Sequence, residues 1–287
     1  MALHRGTALG ALALLCLLIA ALVPVRGQAA PGVVYLDASS GQLYIVGGPK
    51  ADSITVTCAG GYVHVNGANP STGPARCRSV SSIAIQSGAG ADRIDTTDVS
   101  HRSGFSHQLL ADPDPAYAID VYAGSGDDVI RDGPLRAGAL HGESGDDVIL
   151  GGAGSELIIS GGPGDDQVRG GRGDDGIYGD QGDDTLLGGK GRDFISAGAG
   201  RDRVFGGSKR DFVDGDAGDD LVAGGRGRDG VSGGGGSDRA RGGRGADGLS
   251  GGTGNDGLAG NGGIDRGAGD AGIDSCRVEA ANPSCET

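Results

Sequence analysis

The amino-acid sequence predicts an all-β protein, its larger part a parallel β-roll of nine-residue Gly/Asp repeats and its smaller part an N-terminal β region. Three observations predict it: a strict nine-residue period, an aspartate at one fixed place in each repeat, and an apolar residue two places later. From residue 161 the chain reads GGPGDDQVR, GGRGDDGIY, GDQGDDTLL, GGKGRDFIS and AGAGRDRVF, and thirteen such nonamers run to 277 without a slip. Composition agrees. With 63 glycines, 3% aromatics and no Trp in 287 residues, there is too little bulky apolar material for an ordinary globular core of this length.

Residues 1–29 read as a secretory signal peptide: His4 and Arg5 form a short basic start, Ala8 to Val23 an apolar run, and Gly27-Gln28-Ala29 a small-x-small cleavage site. The apolar run is short for a membrane span, and no later segment could cross a bilayer. Removal of Cys16 with this leader leaves Cys58, Cys77, Cys276 and Cys285, an even set that suits an oxidising, extracellular compartment. Closeness in sequence favours the pairs Cys58 with Cys77 and Cys276 with Cys285. The formal net charge of −14 disfavours nucleic acid as a partner and attracts cations, so divalent metals lead the list of ligands.

Residues 30–120 form the N-terminal β region. The repeat cassette appears there twice in isolation, as GGPKADSIT at 47–55 and SGAGADRID at 87–95, each after an alternating strand. The segments TVTC and YVHV flank Ala59-Gly60-Gly61 as a hairpin that a Cys58–Cys77 bridge would pin. Without a stacked neighbour, Asp52 and Asp92 read as turn residues rather than metal ligands.

The roll is expected over 121–277. Its sixth position is Asp in all thirteen regular nonamers, namely Asp166, Asp175, Asp184, Asp193, Asp202, Asp211, Asp220, Asp229, Asp238, Asp247, Asp256, Asp265 and Asp274. Earlier copies carry Asp128, Asp147 and Glu156, with degenerate residues 132–141 interrupting them and Ser160 as an extra residue. Position four is Gly in twelve of the thirteen, Lys209 being the exception, and position eight is mostly aliphatic. Each nonamer thus reads as six turn residues and three strand residues. Glycines at positions one, two and four admit left-handed backbone and close approach, and only the eighth side chain points inward.

This pattern, G-G-x-G-x-D-x-U-x with U a large aliphatic residue, resembles the repeats-in-toxin (RTX), or haemolysin-type, calcium-binding family. The resemblance implies a right-handed β-solenoid in which two nonamers make one coil, six-residue turns line both edges, and Ca2+ ions sit between turns stacked on one edge. It also implies the ligands: turn carbonyls and the position-six carboxylates listed above, together with Asp128 and Asp147. Residues eighteen apart would then stack about 4.8 Å from one another, and two carboxylates at that separation repel by about 1–3 kcal/mol. One buried aliphatic per nonamer falls well short of the entropy lost in ordering nine residues. Ladder hydrogen bonds and multiple calcium ions must supply the remainder, so metal binding and folding are expected to be one event.

Sorting the thirteen nonamers into alternate edges separates their turn charges. The edge of Asp166 carries 13 acids and 1 base over positions one to six, whereas the edge of Asp175 carries 7 acids and 8 bases. Those bases, Arg172, Lys190, Arg192, Lys209, Arg210, Arg226, Arg228 and Arg244, would compete with calcium near Asp193, Asp211 and Asp229, or present a stripe to an anionic cell-surface polymer. Alternatively they merely balance charge.

No catalytic constellation emerges. The G-x-S-x-G matches at 230–234 and 248–252 and the G-x-G-x-x-G match at 171–176 are by-products of the repeat, and His64, His101, His107 and His141 form no metal motif. The expected function is extracellular calcium-ion binding by a structural or surface-interaction module. The competing class is a secreted hydrolase with its site in 30–120 and the roll as accessory. Residues 278–287 read as a tail tied over the last, thin-cored coils by Cys276–Cys285.

Overall fold

The computed structural model describes residues 32–100, 119–134, 138–155, 158–278 and 280–281. The signal segment 1–29, the loop between His101 and His107, Glu156 and Cys285 lie outside the described residues.

The architecture is a parallel β-solenoid of two facing sheets. Among the described residues the front sheet has thirteen strands and the back sheet twelve, and from Ser82 onward successive strands alternate between them. Parallel register advances by eighteen residues per coil: Val168 pairs with Leu186, Leu186 with Val204, and Val204 with Val222 in the back sheet. Ile177, Ile195 and Val213 line up likewise in the front sheet.

Position eight points inward from both sheets, and these side chains form one continuous buried cluster from Leu43 to Leu258. Each roll strand is longer than the sequence pattern suggests. Gln167–Arg172 and Thr185–Lys190, for example, run from position seven of one nonamer through position three of the next. The division into six turn and three strand residues is therefore corrected: the tight turn is confined to positions four to six, because the backbone at positions two and three still pairs with the adjacent coil.

The N-terminal region continues the same two sheets. Strand β1 (Val33–Asp37) lies antiparallel to β2 (Gln42–Val46), which pairs in parallel with Ser82–Gln86 and so joins the front sheet. Strand β3 (Ser53–Ala59) enters the back sheet beside Arg93–Asp95, and β4 (Tyr62–Val65) closes its edge as an antiparallel hairpin turning at Gly60-Gly61. Both sheets thus end on an antiparallel strand that shields the open edge from further pairing. The Cys58–Cys77 disulfide ties the hairpin to the segment that follows it. Here the core thickens to two buried residues per strand, as with Leu43 and Ile45, or Ile83 and Ile85.

At the other end position eight falls to Gly267. A β-carbon on Gly267 would lie 3.1 and 3.2 Å from the two Val278 methyls, so the first residue of the tail packs where the missing side chain would have been. Cys276 is disulfide-bonded and packs against the core, as does Val278. Val278→Ser should therefore raise amide hydrogen exchange selectively in 260–277, and unchanged exchange there would show that the tail does not cap the roll.

Candidate metal centre

The fifteen aspartates singled out as metal ligands fall on two columns, one at each edge. Asp128, Asp147, Asp166, Asp184, Asp202, Asp220, Asp238, Asp256 and Asp274 form one; Asp175, Asp193, Asp211, Asp229, Asp247 and Asp265 form the other. Every one is at most 3% exposed.

Each column is a hydrogen-bonded ladder. The backbone N–H of Asp166 donates to Oδ1 of Asp184 (2.8 Å), that of Asp184 to Asp202 (2.7 Å) and that of Asp202 to Asp220 (2.8 Å). On the opposite edge Asp175 donates to Asp193 (3.0 Å), Asp193 to Asp211 (3.0 Å) and Asp211 to Asp229 (2.9 Å). The Asp128–Asp147 and Asp147–Asp166 steps are nineteen residues instead of eighteen, yet the same bond forms at 2.7 Å.

The ladder also reaches further than the sequence reading allowed. The N–H of Asp92 donates to Asp128 Oδ1 and that of Asp52 to Asp92 Oδ1, both at 2.6 Å. Reading these two cassettes as lacking a stacked neighbour is corrected: the intervening excursions lengthen the coil to 36 and 40 residues without displacing the turn. Asp52 differs in one respect, because its Oδ2 accepts from the Gly48 N–H (2.7 Å).

In the rest of the ladder that second oxygen has no such donor. Oδ2 of Asp92, Asp128, Asp147, Asp166, Asp184 and Asp202 is buried without a hydrogen-bond partner, and so are those of Asp193, Asp211, Asp220, Asp229, Asp238, Asp247, Asp256 and Asp274. The oxygen lies beside the position-one glycine of its own nonamer. A β-carbon on Gly179 would stand 2.3 Å from both Asp184 Oδ2 and the Ala197 carbonyl of the next coil, and one on Gly233 would stand 2.5 Å from Asp238 Oδ2 and 2.6 Å from the Gly251 carbonyl. Position one is thus glycine for space in twelve of the thirteen nonamers, with the buried Ala197 as the exception. The expected left-handed backbone is found at positions two and four instead, as at Gly162 (φ 109°) and Gly164 (φ 146°).

No group of three or more His, Cys, Asp or Glu side chains converges among the described residues. A metal held here would draw on at most two carboxylates and otherwise on main-chain carbonyls, an all-oxygen set suited to a hard cation tolerant of irregular geometry, such as Ca2+. Orphaned carboxylate oxygens beside a turn carbonyl fit that ion.

Position five has a role that the sequence reading missed. Asp146 Oδ1 accepts from the N–H of Asp165 (2.9 Å), Asp165 from Asp183 (2.8 Å) and Asp183 from Arg201 (2.8 Å), an exposed second ladder outside the buried one. Nothing in a single repeat distinguishes this acceptor from a solvated acid. The basic side chains answer the same position: Lys209 lies 3.9 Å from Asp174 and Arg201 3.9 Å from Asp219. At Asp211 the Lys209 charge only weakly opposes the effect of burial. Buried Asp132, whose Oδ1 accepts from the Thr96 hydroxyl, was likewise not singled out.

Ser232 and Ser250, the would-be nucleophiles of the G-x-S-x-G matches, sit in ordinary parallel strands, and the Ser250 hydroxyl donates to Asp270 Oδ2. Neither sits on a strand-to-helix elbow.

A parallel β-roll edged by stacked, inward-facing carboxylates and turn carbonyls belongs to the class of metal-binding β-solenoids. The family model described as RTX calcium-binding nonapeptide repeat (4 copies) matches residues 139–162, 160–195, 178–208, 196–231 and 232–267. Residues 139–267 carry repeats of this calcium-binding family. No curated protein matches it.

Burial, with neighbouring aspartates adding to it, pushes six of the ladder carboxyls far above the usual carboxylate range when no metal is bound: Asp166 to about 8, and Asp128, Asp184, Asp193, Asp211 and Asp220 to about 7. The folded metal-free chain therefore binds more protons than the unfolded chain between about pH 4 and 7. Its stability is greatest below the unfolded carboxyl range and falls as pH rises through the folded values. In excess chelator the β signal in circular dichroism should be larger at pH 4.5 than at pH 7.5; a signal that grows with pH would contradict the ladder's role.

Proposed function

We propose that the protein is a secreted, non-catalytic calcium-binding module whose roll folds as it takes up Ca2+ and then acts as a structural or surface-interaction element. One observation carries this reading: a run of buried carboxylates, most with an oxygen lacking a hydrogen-bond donor, set in repeats of a calcium-binding family. Leaving many such groups ionised costs the metal-free roll on the order of several kcal/mol each, against a domain stability of only about 5–15 kcal/mol. Inserting a divalent cation removes that cost and joins adjacent coils. The apolar leader and the Cys58–Cys77 bridge support export. Arg192, Arg210 and Arg228 on the edge, with Arg172, Lys190, Arg226 and Arg244 at the ends of the adjoining back-sheet strands, are offered to an anionic cell-surface polymer.

Mature protein in excess chelator at pH 7.5 should be largely disordered over 161–277, and millimolar Ca2+ should raise its β content sharply. Mg2+ at equal concentration should do much less, because its small octahedral shell suits carbonyl-rich turns badly. Full β signal in chelator would refute coupled folding.

The acid-rich edge should hold calcium more tightly. By calorimetry, Asp184→Ala, Asp202→Ala and Asp220→Ala together should lose more ions and more affinity than Asp193→Ala, Asp211→Ala and Asp229→Ala together. Equal losses would reject the asymmetry.

A further inference from the structure

The roll separates charge between its two sheets as well as between its edges. Because each strand joins positions seven to nine of one nonamer to positions one to three of the next, Arg169 and Arg172 share a strand, as do Arg239, Arg241 and Arg244. Between 161 and 277 the back sheet carries nine Arg or Lys residues and no Asp or Glu, whereas the front sheet carries Asp180, Asp214 and Asp270 against Arg266.

All nine bases are exposed, and none is in an ion pair among the described residues. Arg172 is in register with Lys190, and Arg226 with Arg244, so cations stand on adjacent strands about 4.8 Å apart. Lys190, Arg226 and Arg244, with Ser208 and Asn261, line a shallow groove floored by the position-two glycines. It runs along the solenoid axis over five coils, roughly 19 Å.

We propose that this face of the back sheet binds an acidic polysaccharide laid along the solenoid axis, its carboxylate or sulfate groups held by the arginine columns. Guanidinium groups pair with such planar or forked oxyanions in bidentate fashion and are less strongly hydrated than ammonium. Other anions suit the surface less well. Single-stranded nucleic acid stacks its bases on aromatic platforms, but Phe205 is the sole aromatic on the back sheet between 161 and 277, while Tyr178, Phe194 and Phe212 line the front sheet. A duplex is read by an element that enters its groove, and this face is flat. Lipid binding draws on several protruding apolar side chains, yet among the large apolar residues of this face only Phe205 is exposed, Leu187 and Leu221 being half-buried.

The dependence of this binding on calcium rests on the proposed function. In metal-free protein the edges flank the face with uncompensated aspartates; without Arg5 and Arg26 of the leader the formal charge is −16, which eight divalent ions would cancel to leave the arginine field unopposed. Calcium should then strengthen polyanion binding. If the natural occupant were instead the acidic edge of a second copy, calcium would neutralise that edge and weaken the contact.

The test uses mature full-length protein, a fluorescent heparin oligosaccharide, and two variants of equal charge change. The face variant combines Arg172→Gln, Arg226→Gln, Arg241→Gln and Arg244→Gln; the edge variant combines Arg192→Gln, Lys209→Gln, Arg210→Gln and Arg228→Gln. In calcium the face variant should lose affinity by about tenfold or more and the edge variant by about twofold or less, with Arg→Lys at the four face positions restoring most of the binding. Equal losses would reduce the effect to net charge and overturn the proposal. So would absence of heparin binding, tighter binding to phosphatidylserine vesicles or to single-stranded DNA, or weakening by calcium. Circular dichroism on the same samples keeps the two readings apart. Heparin bound through the face by a protein indifferent to calcium would remove the calcium reading alone, whereas a protein that folds with calcium and ignores heparin would remove this one alone.

Discussion

The structure depends on a buried carboxylate that the main chain satisfies on one side only. Along both columns Oδ1 of a ladder aspartate accepts the N–H of the aspartate one coil earlier, which fixes the vertical spacing and lateral position of the turns. Oδ2 is turned into the turn interior, where protein donors are absent for most of the column. A neutral side chain in this place could supply the same N–H acceptor, as Asn255 does one position earlier for Ile273. What a neutral side chain would not supply is an anionic oxygen aimed at a carbonyl-lined space. The repeat thus couples a structural hydrogen bond to an unmet electrostatic requirement in one residue.

The remaining features of the nonamer follow from accommodating that residue. Position one is glycine because the carboxylate and a carbonyl of the next coil already approach the space a β-carbon would fill. Position four is glycine because the chain there has left-handed φ and the same position of the preceding coil crowds it: a β-carbon on Gly182 would lie 1.9 Å from the Gly164 carbonyl. Lys209 tolerates this place at φ 83°, a more ordinary left-handed value than the glycines show. With so many positions constrained, position eight alone is left to build the core, and the solenoid can be no thicker than two facing aliphatic columns.

Much of this was legible in the sequence, because a nine-residue period with invariant Asp leaves few other folds. The strands, the inward position eight, the hairpin and the Cys58–Cys77 bridge all follow from local pattern. What escaped is equally specific. Asp52 and Asp92 looked isolated because 36- and 40-residue coils hide an eighteen-residue register from any search at fixed period. The acceptor role of Asp146, Asp165 and Asp183 was invisible because an exposed acid in a turn has no local signature; only the next coil supplies its donor. Position one was misread because space and φ both demand glycine and composition does not separate them.

The charged face of the back sheet shows the same limit in a different form. Counting charges nonamer by nonamer assigns Arg169 to one edge's repeat and Arg172 to the other's, and the two appear unrelated. Yet position nine and the following position three lie on one strand, so the functional unit of the surface straddles the boundary of the repeat unit of the sequence. A solenoid of this kind can therefore vary its faces independently of its edges. Positions seven, nine and three are free of both the core and the ladder, and substitutions there change the surface without disturbing the carboxylates that order the coils. The concentration of arginine at those positions on one sheet, and of aromatic and acidic residues on the other, is a distribution that the folding requirements of the repeat do not impose.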